Sequence, residues 1–150
     1  MTATSDRLLR DAEILLVEDN PGDVFLVEEC LRDLSMAVRL HVARDAAQAM
    51  GFFERVERSA IVTPALVLLD LHLPLVGGLE LLTWIRSRPC FVSLDVVVLT
   101  CSDSQSDVAR SREIGISEYV IKPFDLSELP RITRMLERHL AASTRPAARQ

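Results

Sequence analysis

Two apolar runs in this sequence stop abruptly at acids, and they constrain the fold more than any other feature. AEILLVEDN, from Ala12 to Asn20, ends in Glu18, Asp19 and Asn20, and ALVLLD, from Ala65 to Asp70, ends in Asp70. Segments apolar on both faces are how strands buried in a parallel sheet read, and a terminal acid marks the place where such a strand meets water. LDVVVLT, from Leu94 to Thr100, has the same character and ends in a hydroxyl. Val38 to Ala43 and the short Glu118 to Ile121 complete a set of five strand segments.

Helical patterns separate them. Asn20 and Pro21 offer a cap and an opening residue for a helix carrying Val24, Val27, Leu31 and Leu34 at helical spacing. Asp45 starts a second, through Ala46, Ala49, Met50, Phe53 and Val56. A turn at Leu73, Pro74, Gly77 and Gly78 precedes a third, with Leu79, Leu82 and Ile85, in which Trp84 reads as packing. The fourth, Ser104 to Ile114, has few apolar residues and offers a surface for contact. Leu129, Ile132, Leu136 and Leu140 line the last, whose start is read either as an Asp125–Glu128 capping box or, because of Pro130, as a cap at Ser127.

Strand and helix thus alternate five times, which predicts an α/β, doubly wound, five-stranded parallel sheet with helices on both faces and right-handed crossovers. The expected folded domain runs from residue 12 to 141, between an N-terminal leader (1–11) and a C-terminal tail (142–150). At 150 residues the chain has room for about one domain. Seventeen Lys and Arg against 22 Asp and Glu leave a formal charge of −5, so direct nucleic-acid binding is not expected. No run reaches membrane-spanning length, and Cys30, Cys90 and Cys101 form neither a paired framework nor a metal spacing. The expectation is a soluble, cytoplasmic protein with free thiols and no membrane contact.

Ligands of such folds sit beyond the carboxyl ends of the strands. Glu18, Asp19, Asp70, Thr100 and Lys122 all fall there. Three converging carboxylates repel one another unless a cation compensates, and the sparse oxygen set suits Mg2+. Lys122 and Thr100 supply donors for a phosphoryl group opposite the metal, and Asp70, on the central strand, is the best nucleophile.

VEDN around Glu18 and Asp19, LLDLHLP around Asp70, VVLT ending at Thr100 and YVIKP ending at Pro123 together resemble the signatures of a response-regulator receiver domain, from about Glu13 to Leu140. The resemblance implies a flavodoxin-like (βα)5 fold with strand order 2-1-3-4-5. Asp70 would be the phosphoacceptor, Asp19 a direct magnesium ligand, Glu18 a ligand through water and the His72 backbone carbonyl a further ligand. Lys122 would pair with a phosphoryl oxygen, and its bond to Pro123 would be cis. Thr100 and Tyr119 match the switch pair that couples the site to the face made by the fourth helix, fifth strand and last helix.

Its partner would be a sensor histidine kinase. VEDNPGD and DLHLP followed by a Gly pair are similar to small single-domain regulators serving phytochrome-type kinases, which tend to form homodimers through that face. The downstream target is not implied. Two positions depart from the common pattern: His72 replaces Asn or Met, and Cys101 replaces a small residue. A phosphorelay intermediate and a chemotaxis-type motor regulator remain alternatives. An aspartyl-phosphate phosphohydrolase is disfavoured because His72 stands where such enzymes place a second acid. His41 and His139 have no partners evident in sequence and read as surface residues.

Overall fold

The computed structural model describes residues 12–143. Five parallel strands, β1 (Ala12–Val17), β2 (Val38–Ala43), β3 (Leu66–Leu69), β4 (Val96–Thr100) and β5 (Glu118–Ile121), form one sheet in the order β2-β1-β3-β4-β5. Helices α1 (Pro21–Arg32), α2 (Ala46–Glu57), α3 (Gly78–Ser87), α4 (Gln105–Ile114) and α5 (Leu129–Ser143) connect or follow them. The expected strand order and fold class hold. The leader, residues 1–11, and residues 144–150 of the tail lie outside the described residues, and α5 runs to Ser143, past the expected domain end at residue 141.

The two faces of the sheet bury different layers. Leu15, Val17, Val67, Leu69 and Val96 meet the α2 and α3 side chains Phe52, Phe53, Leu81, Leu82 and Ile85, with Phe91. Ile14, Leu16, Leu66, Leu68, Val97 and Leu99 meet Val27 of α1 and Ile132, Leu136 and Leu140 of α5. Alternation along each strand sends successive side chains to opposite layers, and because both are covered the central strand β3 is apolar throughout, as are residues 14–17 of β1 and 96–99 of β4. Helix α4 is the exception anticipated from its composition: Ser111 is its only buried residue.

The caps follow local chemistry. Asn20 Oδ1 accepts from the Gly22 N–H at 2.8 Å and the Asp23 N–H at 3.4 Å, and Asp45 Oδ1 accepts from the Gln48 N–H at 2.8 Å. The entry to α5 corrects one alternative. Asp125, not Ser127, is the cap: its Oδ1 accepts from the Ser127 N–H at 2.9 Å, and a short 3-10 turn, Leu126–Glu128, leads into α5. Glu128 Oε2 accepts from the Phe124 N–H at 2.6 Å, close to a capping box displaced by one residue. Pro130 then falls in the first turn of α5, where its missing N–H costs nothing.

Register sets up the functional edge. Val17 is level with Leu69, and Thr100 with Ile121, so Glu18 and Asp70 emerge side by side and Lys122 follows next to Thr100. Gly78 lets α3 start against this edge: a Cβ there would lie 2.4 Å from the Asp70 carbonyl oxygen and 2.6 Å from Leu71 Cα. Its N–H donates to the Leu71 carbonyl at 3.0 Å. Only glycine permits so close an approach of helix to strand.

Candidate functional site

Lys122 is the sole lysine in the sequence, and its ammonium is the centre of the site. Nζ donates to Glu18 Oε1, to Asp23 Oδ2 at 2.8 Å and to Asp70 Oδ2 at 3.0 Å. All three of its N–H donors therefore meet carboxylates. Lys122, Glu18 and Asp70 are buried, Asp23 is half-buried and Asp19 is exposed. Glu18, Asp19 and Asp70 each offer a carboxylate oxygen within 4.8 Å of the others. Four acids around one ammonium leave excess negative charge, and hard oxygen donors at this spacing fit a small divalent cation, as the sequence suggests.

The charges are unequal in character. Burial pushes the Glu18 carboxyl up to about 8; the hydrogen bond from Lys122 opposes that shift and Asp70 adds to it. Burial also works against an ionised Asp70, but the hydrogen bond with Glu18, the charge of Lys122 and the His72 N–H together hold its carboxyl below the ordinary range. Lys122 is likewise penalised by burial, yet its bonds to Asp23 and Glu18 and the charge of Asp70 raise it well above the ordinary lysine value. The carboxylate at the end of the central strand is thus the one held ionised.

Backbone groups orient the acids. The His72 N–H donates to Asp70 Oδ1 at 3.2 Å, and the Asp19 N–H donates to Glu18 Oε2 at 3.0 Å. The His72 ring is exposed and makes no hydrogen bond to the acids among the described residues. Lys122 reaches all its partners with a trans bond to Pro123: no cis peptide occurs among the described residues, which corrects the expected cis bond. Trans is the lower-energy form of X–Pro by about 0.5–1 kcal/mol, and the Lys122 N–H bond to the Thr100 carbonyl, at 2.8 Å, places the residue without cis geometry.

Thr100 and Tyr119 are brought together through a residue that sequence reading missed. Thr100 is fully buried, and its Oγ1 accepts from the Ser102 N–H at 3.4 Å. The half-buried Tyr119 donates its hydroxyl to the Ser102 carbonyl at 2.8 Å, and Ser102 Oγ donates to Asp107 Oδ2 of α4 at 2.6 Å. Ser102 therefore links the strand-end hydroxyl, the edge-strand aromatic and the fourth helix. Asp23 was missed as well. It lies in the same VEDNPGD segment, but its partner is 99 residues away, and only its place in the first turn of α1 hinted at a role.

The two histidines read as unpartnered are not. His41 Nε2 lies 2.8 Å from Glu13 Oε1, while His139 places Nδ1 3.0 Å from Asp95 Oδ2 and Nε2 2.8 Å from Glu118 Oε1. Both sit away from the strands' carboxyl ends, on neighbouring strands and α5, where only tertiary pairing reveals them.

The comparisons with known proteins agree with this geometry. The response regulator receiver domain family matches residues 14–134. The response regulator Rcp1 of Synechocystis is 37% identical over 137 residues, which cover 90% of this chain and 93% of that protein. The crystal structure of the Mn(2+)-bound form of Rcp1 superposes with a TM-score of 0.79 at 35% identity, covering 91% of this chain and 99% of the other. That of the phosphorylated cyanobacterial phytochrome response regulator RcpA gives 0.81 at 31%, covering 93% and 100%. The receiver domain of the sensor histidine kinase PA1611 from Pseudomonas aeruginosa, with a magnesium ion coordinated in its active site cleft, gives 0.64 at 30%, covering 84% and 97%. With the acid cluster, the strand order and the match over most of its length, the chain belongs to the response regulator receiver domain family.

Proposed function

We propose that this protein is a phosphorylation-controlled response regulator, in which Asp70 takes a phosphoryl group from a sensor histidine kinase and the modified molecule signals through altered protein contacts. The observation that carries this reading is the Lys122 ammonium held between Glu18, Asp23 and Asp70, with Asp70 kept ionised. Glu18, Asp19, Asp70 and the His72 carbonyl would hold Mg2+, a reading supported by the acid spacing and by the metal-bound relatives. Bound there, the cation would neutralise charge on the acids and on the incoming phosphoryl oxygens.

Asp70 is the nucleophile. Its carboxylate oxygen forms a bond to phosphorus as the bond from phosphorus to the kinase imidazole breaks, and the imidazole nitrogen keeps the electron pair and takes a proton. A carboxylate needs no base for this step, and the His72 N–H and Lys122 hold its two oxygens in place. Lys122 then follows the new negative charge, exchanging a carboxylate contact for a phosphoryl oxygen. Thr100 turns from Ser102 toward the phosphoryl group, and the Ser102 carbonyl gives up the Tyr119 hydroxyl as the ring moves inward.

Likeness to the phytochrome response regulator RcpA supports a phytochrome-type kinase as donor, and the face of α4, β5 and α5, which Tyr119 borders, is the surface this reading assigns to a homodimer. The cytoplasm is the compartment this reading requires; no helix among the described residues is long and apolar enough to cross a membrane. The protein acts here as a substrate of phosphoryl transfer and a switch, not as an enzyme with turnover. Incubation with acetyl phosphate and magnesium, read by intact mass, should add one phosphoryl group to the chain and none to Asp70→Asn. Undiminished labelling of the variant would overturn the assignment of Asp70.

A further inference from the structure

The opposite edge of the sheet carries a second binding feature. Among the described residues, strand β2 has a neighbour on one side only. Ala37 and Ala43 turn their carbonyls to the β1-side N–H groups of Ala12 and Glu18. The alternation of a parallel ladder then points the N–H and C=O groups of Val38, Leu40 and Val42 outward. An unpaired row of this kind is a template for another strand, and proteins commonly cover or blunt it.

Beside it lies a groove of about 440 Å3, lined by Val42 and Ala43 of β2 and by Gln48, Gly51, Arg55 and Arg58 on one stripe of α2 and its cap. The groove is basic: Arg55 and Arg58 line it, and Arg44 follows the end of β2. All three are exposed and have no carboxylate partner among the described residues, and Arg55 lies over the Phe52 ring at 6.0 Å. Its floor is kept open by Gly51, in the middle of α2, where an added Cβ would meet nothing within 4 Å. Glycine weakens a helix interior, and no packing contact or backbone conformation of the chain requires it at this position.

We propose that the β2 edge and this groove receive an extended acidic segment of a partner protein, which adds as a sixth strand. The partner's main chain pairs with Val38, Leu40 and Val42, one apolar side chain enters the notch at Gly51, and flanking carboxylates meet Arg44, Arg55 and Arg58. Charge selects the occupant. A second copy would bring the same arginines face to face. Neither end of this chain is acidic: residues 1–11 carry Arg7 and Arg10 against Asp6 and Asp11, and residues 144–150 carry Arg145 and Arg149 with no acid. The site lies at the far edge of the sheet from β5, so a partner held there leaves the α4 and β5 face free.

The test uses a fluorescein-labelled heptapeptide of alternating glutamate and valine, titrated with the full chain and read by anisotropy. Arg55→Glu with Arg58→Glu should weaken binding by about tenfold or more, and the same double variant should gain affinity for the matching lysine–valine peptide. Gly51→Leu should block the glutamate peptide while improving helix propensity, and hydrogen exchange should slow at Val38, Leu40 and Val42 when the peptide is bound. All variants should still take one phosphoryl group from acetyl phosphate, showing that they are folded. Absent binding, equal affinity across the variants, or protection elsewhere would overturn the proposal. So would a concentration-dependent dimer in sedimentation that Arg55→Glu abolishes, since it would assign the edge to a second copy.

Discussion

Two ionic clusters occupy opposite ends of the same sheet. At the carboxyl ends of the strands, Lys122 faces Glu18, Asp23 and Asp70 with Asp19 nearby; at the amino ends, His139 bridges Asp95 and Glu118, and Arg138 brings a cation 3.3 Å from Glu118. The residue types are similar, but the balances differ. The upper cluster has more acids than its one cation can neutralise and lies largely buried, whereas the lower pairs its acids with nearby bases and is half-open to water. Uncompensated buried charge costs stability and is retained where something else is to bind; compensated charge at a rim fastens one element to another. His139 ties the carboxyl end of α5 to the starts of β4 and β5, and nothing in that arrangement offers a reacting atom.

The comparison breaks most readily at Lys122. Lys122→Ala should destabilise the metal-free protein by about 3–5 kcal/mol in urea unfolding, because it leaves acids buried without a partner. Magnesium should recover much of that loss, while acetyl phosphate still labels Asp70. Failure of magnesium to restore stability would count against a cation site among these acids. Labelled Lys122→Ala should no longer change its assembly state on phosphorylation, which sedimentation would show.

Gly78→Ala should come next, at about 1–3 kcal/mol, since the new methyl collides with the backbone beside Asp70 and that backbone cannot give way cheaply. Slower uptake from acetyl phosphate should accompany it. The lower cluster should respond less: His139→Ala should cost about 1 kcal/mol and leave the labelling rate unchanged. A large loss of labelling there would erase the functional distinction between the two ends.

Acid and base should separate the clusters by sign. Glu18, raised in the folded state to about 8, keeps a proton there that it loses when unfolded, so its stabilisation is present at low pH and is lost as pH climbs through that value in EDTA. Glu118, held low against burial by His139 and Arg138, contributes stability above the ordinary glutamate range, lost as pH falls through its folded value. Asp70 adds to this acid limb. Thermal melts in EDTA across pH should therefore lose their alkaline slope in Glu18→Gln and part of their acid slope in His139→Gln.

What could be read from the residues follows the same division. Buried parallel strands announce themselves by continuous apolar runs, and their terminal acids need only the common direction of the strands to converge, so Glu18, Asp19, Asp70, Thr100 and Lys122 were legible. Asp23 and Ser102 were not, because their importance lies in contacts made across the fold by short polar side chains in ordinary capping and loop positions. His139 was hidden for the same reason, its two carboxylates lying 44 and 21 residues away. The entry to α5 was ambiguous because Asp125, Ser127 and Glu128 can each cap, and only the hydrogen-bond geometry decides among them.

The solitary ammonium at the reacting centre also makes the protein an unusual subject for amine chemistry. Apart from the chain's own α-amino group, no other primary amine competes for an acylating or methylating reagent. An isotope-enriched methyl placed there would give one side-chain resonance, sitting among the acids that handle phosphate, and its chemical shift would follow occupancy of the pocket without any engineered label.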